Sequence, residues 1–255
     1  MANRIIFDTE TTSIDKPFAY DVGYLIIDED FVVLDSKHFV IEQVWHNLPL
    51  FESAYYKEKR PLYVQLMRAR KAVLTKWGYM VSELINDIRK YGVVSAYAFN
   101  SDFDERVFEF NCNWYHTRNP FDNVPIFDIM GYSSQFITNK QDYLDFCDEH
   151  KLYTDSGNYS GNAENVYRYT VCDPEFSEAH MGLQDAEIEA SILHYTISLG
   201  AEWDKPYKKV RFCERNIPTP YKVKVNGEMI HEGEYIKKYV RNGVYNFTEK
   251  KEETE

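Results

Sequence analysis

The stretch Arg4-Ile5-Ile6-Phe7-Asp8-Thr9-Glu10 constrains this chain more than any other. Its apolar residues suit a buried strand, but Asp8 and Glu10 are carboxylates that no buried strand accepts without a partner. They belong at the strand's end. A strand repeats every two residues, so both side chains leave the same face, a few ångströms apart. Two anions so placed repel, and a divalent cation is the usual remedy. Taken alone, Asp-x-Glu reads equally as an acidic turn after a strand, and the decision rests on what the chain supplies elsewhere.

A chain of 255 residues that is 44% hydrophobic and 16% aromatic has the material for a folded α/β domain with an appendage. Only 249–255, rich in Glu and Lys, reads as a frayed tail. The net charge of −12 argues against a nucleic-acid partner, but binding depends on where the charges lie. Residues 57–76 hold Lys57, Lys59, Arg60, Arg68, Arg70, Lys71 and Lys76 against Glu58 alone, and residues 205–224 set seven cations against Glu214. Such islands are either solvated helix faces or tracks for a phosphate backbone. The four cysteines lie far apart without metal-ligand spacing, which fits free thiols in a reducing compartment. The chain shows neither a signal-like start nor the roughly 18 consecutive apolar residues of a membrane span. A soluble cytoplasmic protein is expected, with no membrane partner.

Along the chain, 22–28 and then 31–34 with 37–41 read as second and third strands, and an antiparallel meander is their natural arrangement. Residues 42–77 break the pattern as a basic insertion, helical in character over 54–75. Val81, Leu84, Ile85 and Ile88 define one apolar helix face ending near Gly92. A strand at 93–98 delivers Asn100 to its end, and a helix carrying Phe103, Val107 and Phe110 starts just after it. A strand at 126–130, a helix at 141–149, a loop at 155–162 and a helix at 163–170 follow. The helix 183–198 places Asp185 on one face with Ile188 and Ile192, and an aspartate there is costly unless it has a task. Beyond 200, alternating residues around Asn226-Gly227 signal a β-hairpin, so 201–248 reads as a small appendage.

Asp8, Glu10, Asp104 and Asp185 thus converge from element ends, with His180 five residues before the last. Four carboxylates and an imidazole suit two divalent cations about 3.5–4 Å apart, which activate a water and neutralise the leaving oxygen of a phosphodiester. Hard oxygen ligands indicate Mg²⁺ or Mn²⁺.

These residues resemble a known family. Phe7-Asp8-Thr9-Glu10-Thr11-Thr12 is similar to the first motif of the DnaQ-like 3′–5′ exonucleases, the DEDD group of the RNase H-like fold. Asn100-Ser101-Asp102-Phe103-Asp104 resembles the second, with Asp104 as ligand, and His180-Met181-Gly182-Leu183-Gln184-Asp185-Ala186 the third, whose histidine marks the DEDDh branch. The resemblance covers residues 1 to about 200 and departs from the family pattern at Ser13, often glycine, and Gly182, often alanine. It implies an α/β fold with a central mixed sheet flanked by helices. It also implies four acids holding two metals, His180 as general base, and release of nucleoside 5′-monophosphates from single-stranded DNA 3′ ends, in replication or repair. Thr9, Thr11, Asn100 and Phe103, inside the motifs, are expected to touch substrate, and Arg68, Arg70 and Lys71 to contact its phosphates. RNA trimming of the RNase T type is the nearest rival, separated by how the pocket treats the 2′-hydroxyl. A catalytically silent nucleic-acid-binding module and a simple phosphatase are the others. A polymerase partner or self-association is left open by the sequence.

Overall fold

In the computed structural model, residues 2–155 and 157–209 are described in full, together with the backbone of 214–225, 228–240 and 245–249. The first strand, β1 (Asn3–Thr11), lies in the middle of a six-stranded sheet because both of its faces are apolar. Ile5 and Phe7 point to one side, where they pack with Trp77, Met80, Val81 and Leu84 of α4 (Trp77–Tyr91) and with Val107 and Phe108 of α5 (Asp102–Trp114). Ile6 points to the other, among residues of α6 (Ile129–Phe136), α7 (Gln141–His150), α8 (Ala163–Val171) and α9 (Gly182–Ser198). Period-two alternation in one strand therefore defines a three-layer α/β/α sandwich.

The expected meander is present: β1, β2 (Ala19–Ile27) and β3 (Val33–Ile41) pair antiparallel in sequence order. β5 (Val93–Ala98) and β6 (Ile126–Asp128) add in parallel on the far side of β1, and β4 (Val73–Thr75) pairs in parallel with β3. The sheet order is β4-β3-β2-β1-β5-β6.

Several expectations need correction. Residues 73–75 are not helical: Val-Leu-Thr finds an open edge on β3, and the pairing overrides its helical surroundings. The third strand starts at Val33, because Asp28 Oδ1 accepts the N–H groups of Asp30 and Val32 and closes a turn over Phe31, whose φ is +60°. The strand at 126 ends at Asp128, whose carboxylate accepts the Met130 N–H at 3.0 Å and caps α6, a helix not anticipated. Residues 201–209, assigned to the appendage, pack on the six-stranded domain: Ala201 is buried, and Asp204 pairs with Arg4 at 2.7 Å and accepts from Tyr97 at 2.8 Å.

The remaining insertion elements are α1 (Glu42–Trp45), α2 (Leu48–Phe51), a single 3-10 turn at Lys57–Lys59 and α3 (Arg60–Arg68). They enclose a small core of their own, in which Trp45, Phe51, Ala54 and Tyr63 bury with Tyr20, Val40 and Met181. Beyond 209, β7 (Glu214–Val225), β8 (Glu228–Val240) and β9 (Tyr245–Glu249) form a three-stranded antiparallel sheet, with Val225 opposite Glu228 around the expected turn. The turn residues Asn226 and Gly227, Cys213 and the tail 250–255 lie outside the described residues. No helix among the described residues is long and apolar enough to cross a membrane.

One contact fixes how α9 meets the sheet. A Cβ on Gly23 of β2 would fall 1.9 Å from the Leu183 nitrogen, and one on Gly182 would fall 2.6 Å from the Gly23 nitrogen. Backbone touches backbone here, which accounts for Gly182 where the resembling family often has alanine. Gly23→Ala is expected to destabilise the fold by about 3 kcal/mol or more, measured by denaturant unfolding. A change within experimental error would mean that α9 is free to shift.

Candidate active site

The carboxylates come together where β1 ends. Asp8 pairs across β2 with Gly23, whose missing side chain admits the start of α9. Asp185 then sits in the first turn of α9 and Asp104 in the first turn of α5, so both ride near the positive ends of helix dipoles. Asp185 Oδ2 accepts the Met181 N–H at 2.8 Å, and Asp104 Oδ1 accepts the Thr9 hydroxyl at 2.6 Å. Two buried oxygens, Asp8 Oδ2 and Asp185 Oδ1, have no hydrogen-bond partner.

The electrostatics are those of crowded anions out of water. Burial, followed by the charges of Asp104, Glu189, Asp185 and Glu10, holds the Asp8 carboxyl well above the ordinary range. Glu10 is raised by burial and then by Asp185 and Asp21, against a counteracting Lys59. Burial likewise pushes Asp104 up to about 7, despite the Thr9 hydrogen bonds, and Asp185 up to about 8, with Glu178 adding to it. Such groups call for a cation. Glu10, His180 and Asp185 each offer a ligand atom within 4.8 Å of the others, and Asp8, near enough to feel the charges of Asp185 and Glu10, carries an orphaned oxygen as Asp185 does. The carboxylates supply hard oxygen donors, suited to Mg²⁺ or Mn²⁺, and the imidazole stands beside them.

His180 has φ of +48° and a face stacked on Tyr56, with ring centroids 4.1 Å apart and planes 10° from parallel. Burial, and then the nearby Lys59, lowers its pKa, so the imidazole is neutral and able to accept a proton at pH 7. Its Nδ1 lies 3.6 Å from Glu178 Oε2, and burial raises the Glu178 carboxyl to about 7.

The five sequence-predicted carboxylate and histidine positions, Asp8, Glu10, Asp104, His180 and Asp185, are therefore gathered around the end of the central strand β1. The expected substrate contacts are placed less uniformly. Thr9 is buried and spends its hydroxyl on Asp104, so it supports a carboxylate. Thr11 is half-buried and donates to the Ser13 carbonyl at 3.2 Å. Asn100, exposed at φ +62°, accepts from Lys209 Nζ at 2.9 Å, and Phe103 leans on the core with Arg106 over its ring at 5.7 Å. Arg68, Arg70 and Lys71 are exposed just ahead of β4, which lies three strands from β1.

Four residues at the site were not singled out from the sequence. Glu189 is buried one turn beyond Asp185, and its Oε2 accepts the Phe99 N–H at 3.0 Å. It shares the apolar face of α9 with Asp185, so the same reasoning, an acid on an apolar stripe, would have found it. Glu178, Tyr56 and Lys59 arrive through loop and insertion geometry that periodicity does not carry. Beneath them, Asp21 Oδ2 accepts the Tyr63 hydroxyl at 2.6 Å and the Gly182 N–H at 2.9 Å, and Oδ1 lies 2.7 Å from His38 Nε2. Burial alone would lower the His38 pKa, but Asp21 carries it above its usual value.

The fold is of the RNase H-like α/β class. Among solved structures it is shared with product-bound exonuclease I, at TM-score 0.53 and 12% identity over 78% of this chain and 44% of that one. Exonuclease I from Methylocaldum szegediense gives TM-score 0.52 and 16% identity over 77% of this chain and 40% of that one. A third exonuclease I structure, described as suggesting how processivity is achieved, gives 0.51 and 13% over 77% and 40%. The chain spans less than half the length of these proteins, and at such identity the likeness is one of fold. No family model and no curated protein matches the sequence.

A raised carboxyl pKa has a definite sign. The proton binds the folded state more tightly, so the stability it contributes is full below the ordinary carboxylate range and is lost as pH rises through about 7 for Asp104 and about 8 for Asp185. The cation-free melting temperature is expected to fall across that window. Mg²⁺ should raise it at alkaline pH and do little in acid, where protons compete for the ligands. A melting temperature that ignores both pH and Mg²⁺ would remove the cation site.

Proposed function

We propose that this chain is a divalent-cation-dependent 3′–5′ exonuclease acting on single-stranded DNA ends. The observation that carries the reading is the gathering of four carboxylates, Asp104 and Asp185 buried and Asp8 and Glu10 half-buried, two with unpartnered oxygens, beside a neutral imidazole. The shared fold of exonuclease I supports it, as does the structure of an ExoI/SSB-Ct complex with TM-score 0.51 among those similar to this chain. DNA is preferred to RNA on that likeness.

Asp8, Glu10, Asp104 and Asp185 would hold two Mg²⁺ or Mn²⁺ ions, which supply an activated water and neutralise charge developing on the phosphodiester. The chain's own residues do the rest. His180, uncharged at working pH, accepts the water's proton as the water oxygen bonds to phosphorus. The bond from phosphorus to the 3′ oxygen of the shortened strand breaks, that oxygen takes up a proton, and a nucleoside 5′-monophosphate leaves. Thr9 fixes the Asp104 carboxylate, and the Met181 N–H fixes that of Asp185. Arg68, Arg70 and Lys71 enter as outlying phosphate-binding cations. Their joint replacement by Ala should reduce the slope of log K against log salt by roughly 0.7 for every phosphate no longer neutralised.

Digestion of matched 3′-labelled and 5′-labelled DNA and RNA oligonucleotides, with Mg²⁺, Mn²⁺ or EDTA, tests the reading. A 5′-labelled DNA strand should shorten stepwise and EDTA should stop it, whereas faster digestion of RNA would reassign the substrate. Asp8→Ala and Asp104→Ala should abolish cleavage with the fold retained. His180→Ala should slow it by on the order of 10²–10⁴ with cation affinity kept, and Asp185→Ala should lose both, as read by calorimetry beside single-turnover cleavage. Parental rates in the Asp8 or Asp104 variants would dismiss the assignment.

A further inference from the structure

The insertion at 42–77 lies outside all three motifs, yet its middle reaches His180. Its small core of Trp45, Phe51, Ala54 and Tyr63 anchors the turn that presents Tyr56 and Lys59. Three consecutive residues of the histidine loop are then held from the insertion side. The Lys59 ammonium donates to the Ala179 carbonyl. The Tyr56 ring lies flat on the His180 imidazole at 4.1 Å, with the Lys59 ammonium 4.8 Å from its centroid. Met181 is buried within the insertion's own core.

His180 requires such support. A non-glycine residue at φ +48° is strained and persists only where its surroundings over-determine it. The form of the support also matters. A parallel stack grips an imidazole by its face and occupies neither ring nitrogen, since both lie in the ring plane; Nδ1 is the one that lies 3.6 Å from Glu178 Oε2. A hydrogen bond from the insertion to Nε2 would have consumed the other.

We infer that the insertion is a positioning clasp for His180, in which Tyr56 stacked on the imidazole and Lys59 on the Ala179 carbonyl hold the ring in the orientation from which it takes the proton. This rests on the exonuclease reading for its chemistry but not for its geometry. Lys59 is thereby withdrawn from any phosphate track, although it belongs to the first basic island.

The test combines a spectroscopic and a kinetic arm. In carbon-edited proton spectra, with the His180 resonance assigned from its disappearance in His180→Gln, the stacked Tyr56 ring shifts the imidazole carbon-bound protons upfield. Tyr56→Leu should move them downfield, and Tyr56→Phe should leave them near the parental position. In cleavage of a single-stranded DNA oligonucleotide, Tyr56→Leu and Lys59→Met should each lower kcat by about 10- to 100-fold with little change in KM, the scale of a misplaced catalytic group. Tyr56→Phe should restore the rate. Adding Tyr56→Leu to His180→Ala should cost nothing further, because both act through one side chain. An unmoved His180 resonance in Tyr56→Leu would overturn the clasp. So would a Tyr56→Leu effect as large in the His180→Ala background as in the parent. A parent that leaves every oligonucleotide intact would instead defeat the exonuclease reading, with the imidazole shift still deciding the clasp.

Discussion

Mutual repulsion among buried carboxylates is the constraint on which the rest of this structure depends. Asp8, Glu10, Asp104, Asp185 and Glu189 are crowded at the end of one strand, and each is held above its ordinary pKa first by burial. Nothing about such a cluster is self-assembling. It exists because the hydrophobic layers on either side of β1, with Phe7 and Ile6 facing opposite ways, bring three element ends to one place. Folding energy from two apolar cores is what sustains an arrangement that electrostatics alone would disperse.

Much of this was legible in the sequence because it was local. Two-residue spacing placed Asp8 and Glu10 on one face, and the cost of an acid on an apolar helix stripe singled out Asp185. The periodicities supplied most of the strands and helices, and the resemblance of the three motifs supplied their arrangement as a central sheet flanked by helices. What the sequence did not disclose depended on contacts between distant segments. Residues 73–75 look helical among their neighbours, and only the open edge of β3 makes them a strand. Charge counting shows how many cations a segment holds but not which way each points. The island at 57–76 therefore divides in space: Lys59 turns to the carboxylates, Arg60 lies over Trp45 and Phe51, and Arg68, Arg70 and Lys71 stay outside.

Asp21 shows how the parts are tied together. It is fully buried, and its two oxygens meet Tyr63 of α3, His38 of β3 and the Gly182 N–H at the start of α9. Insertion, sheet and histidine loop thus share one anion. A buried network of this kind is unforgiving, since removing any member leaves the others without partners in a medium of low dielectric.

The contact between Gly23 and Gly182 sets the gauge of the whole site. Side chains adjust a gap by changing rotamer, but two peptide backbones pressed together have no such freedom. The separation between the end of β1 and the first turn of α9 is therefore a fixed bore. A cation held by Asp8 and Asp185 would therefore find the two backbones at a set separation, and only the carboxylate rotamers would be left to adapt to its radius. Two absent methyl groups thus hold the strand and the helix at one distance, whatever the side chains between them do.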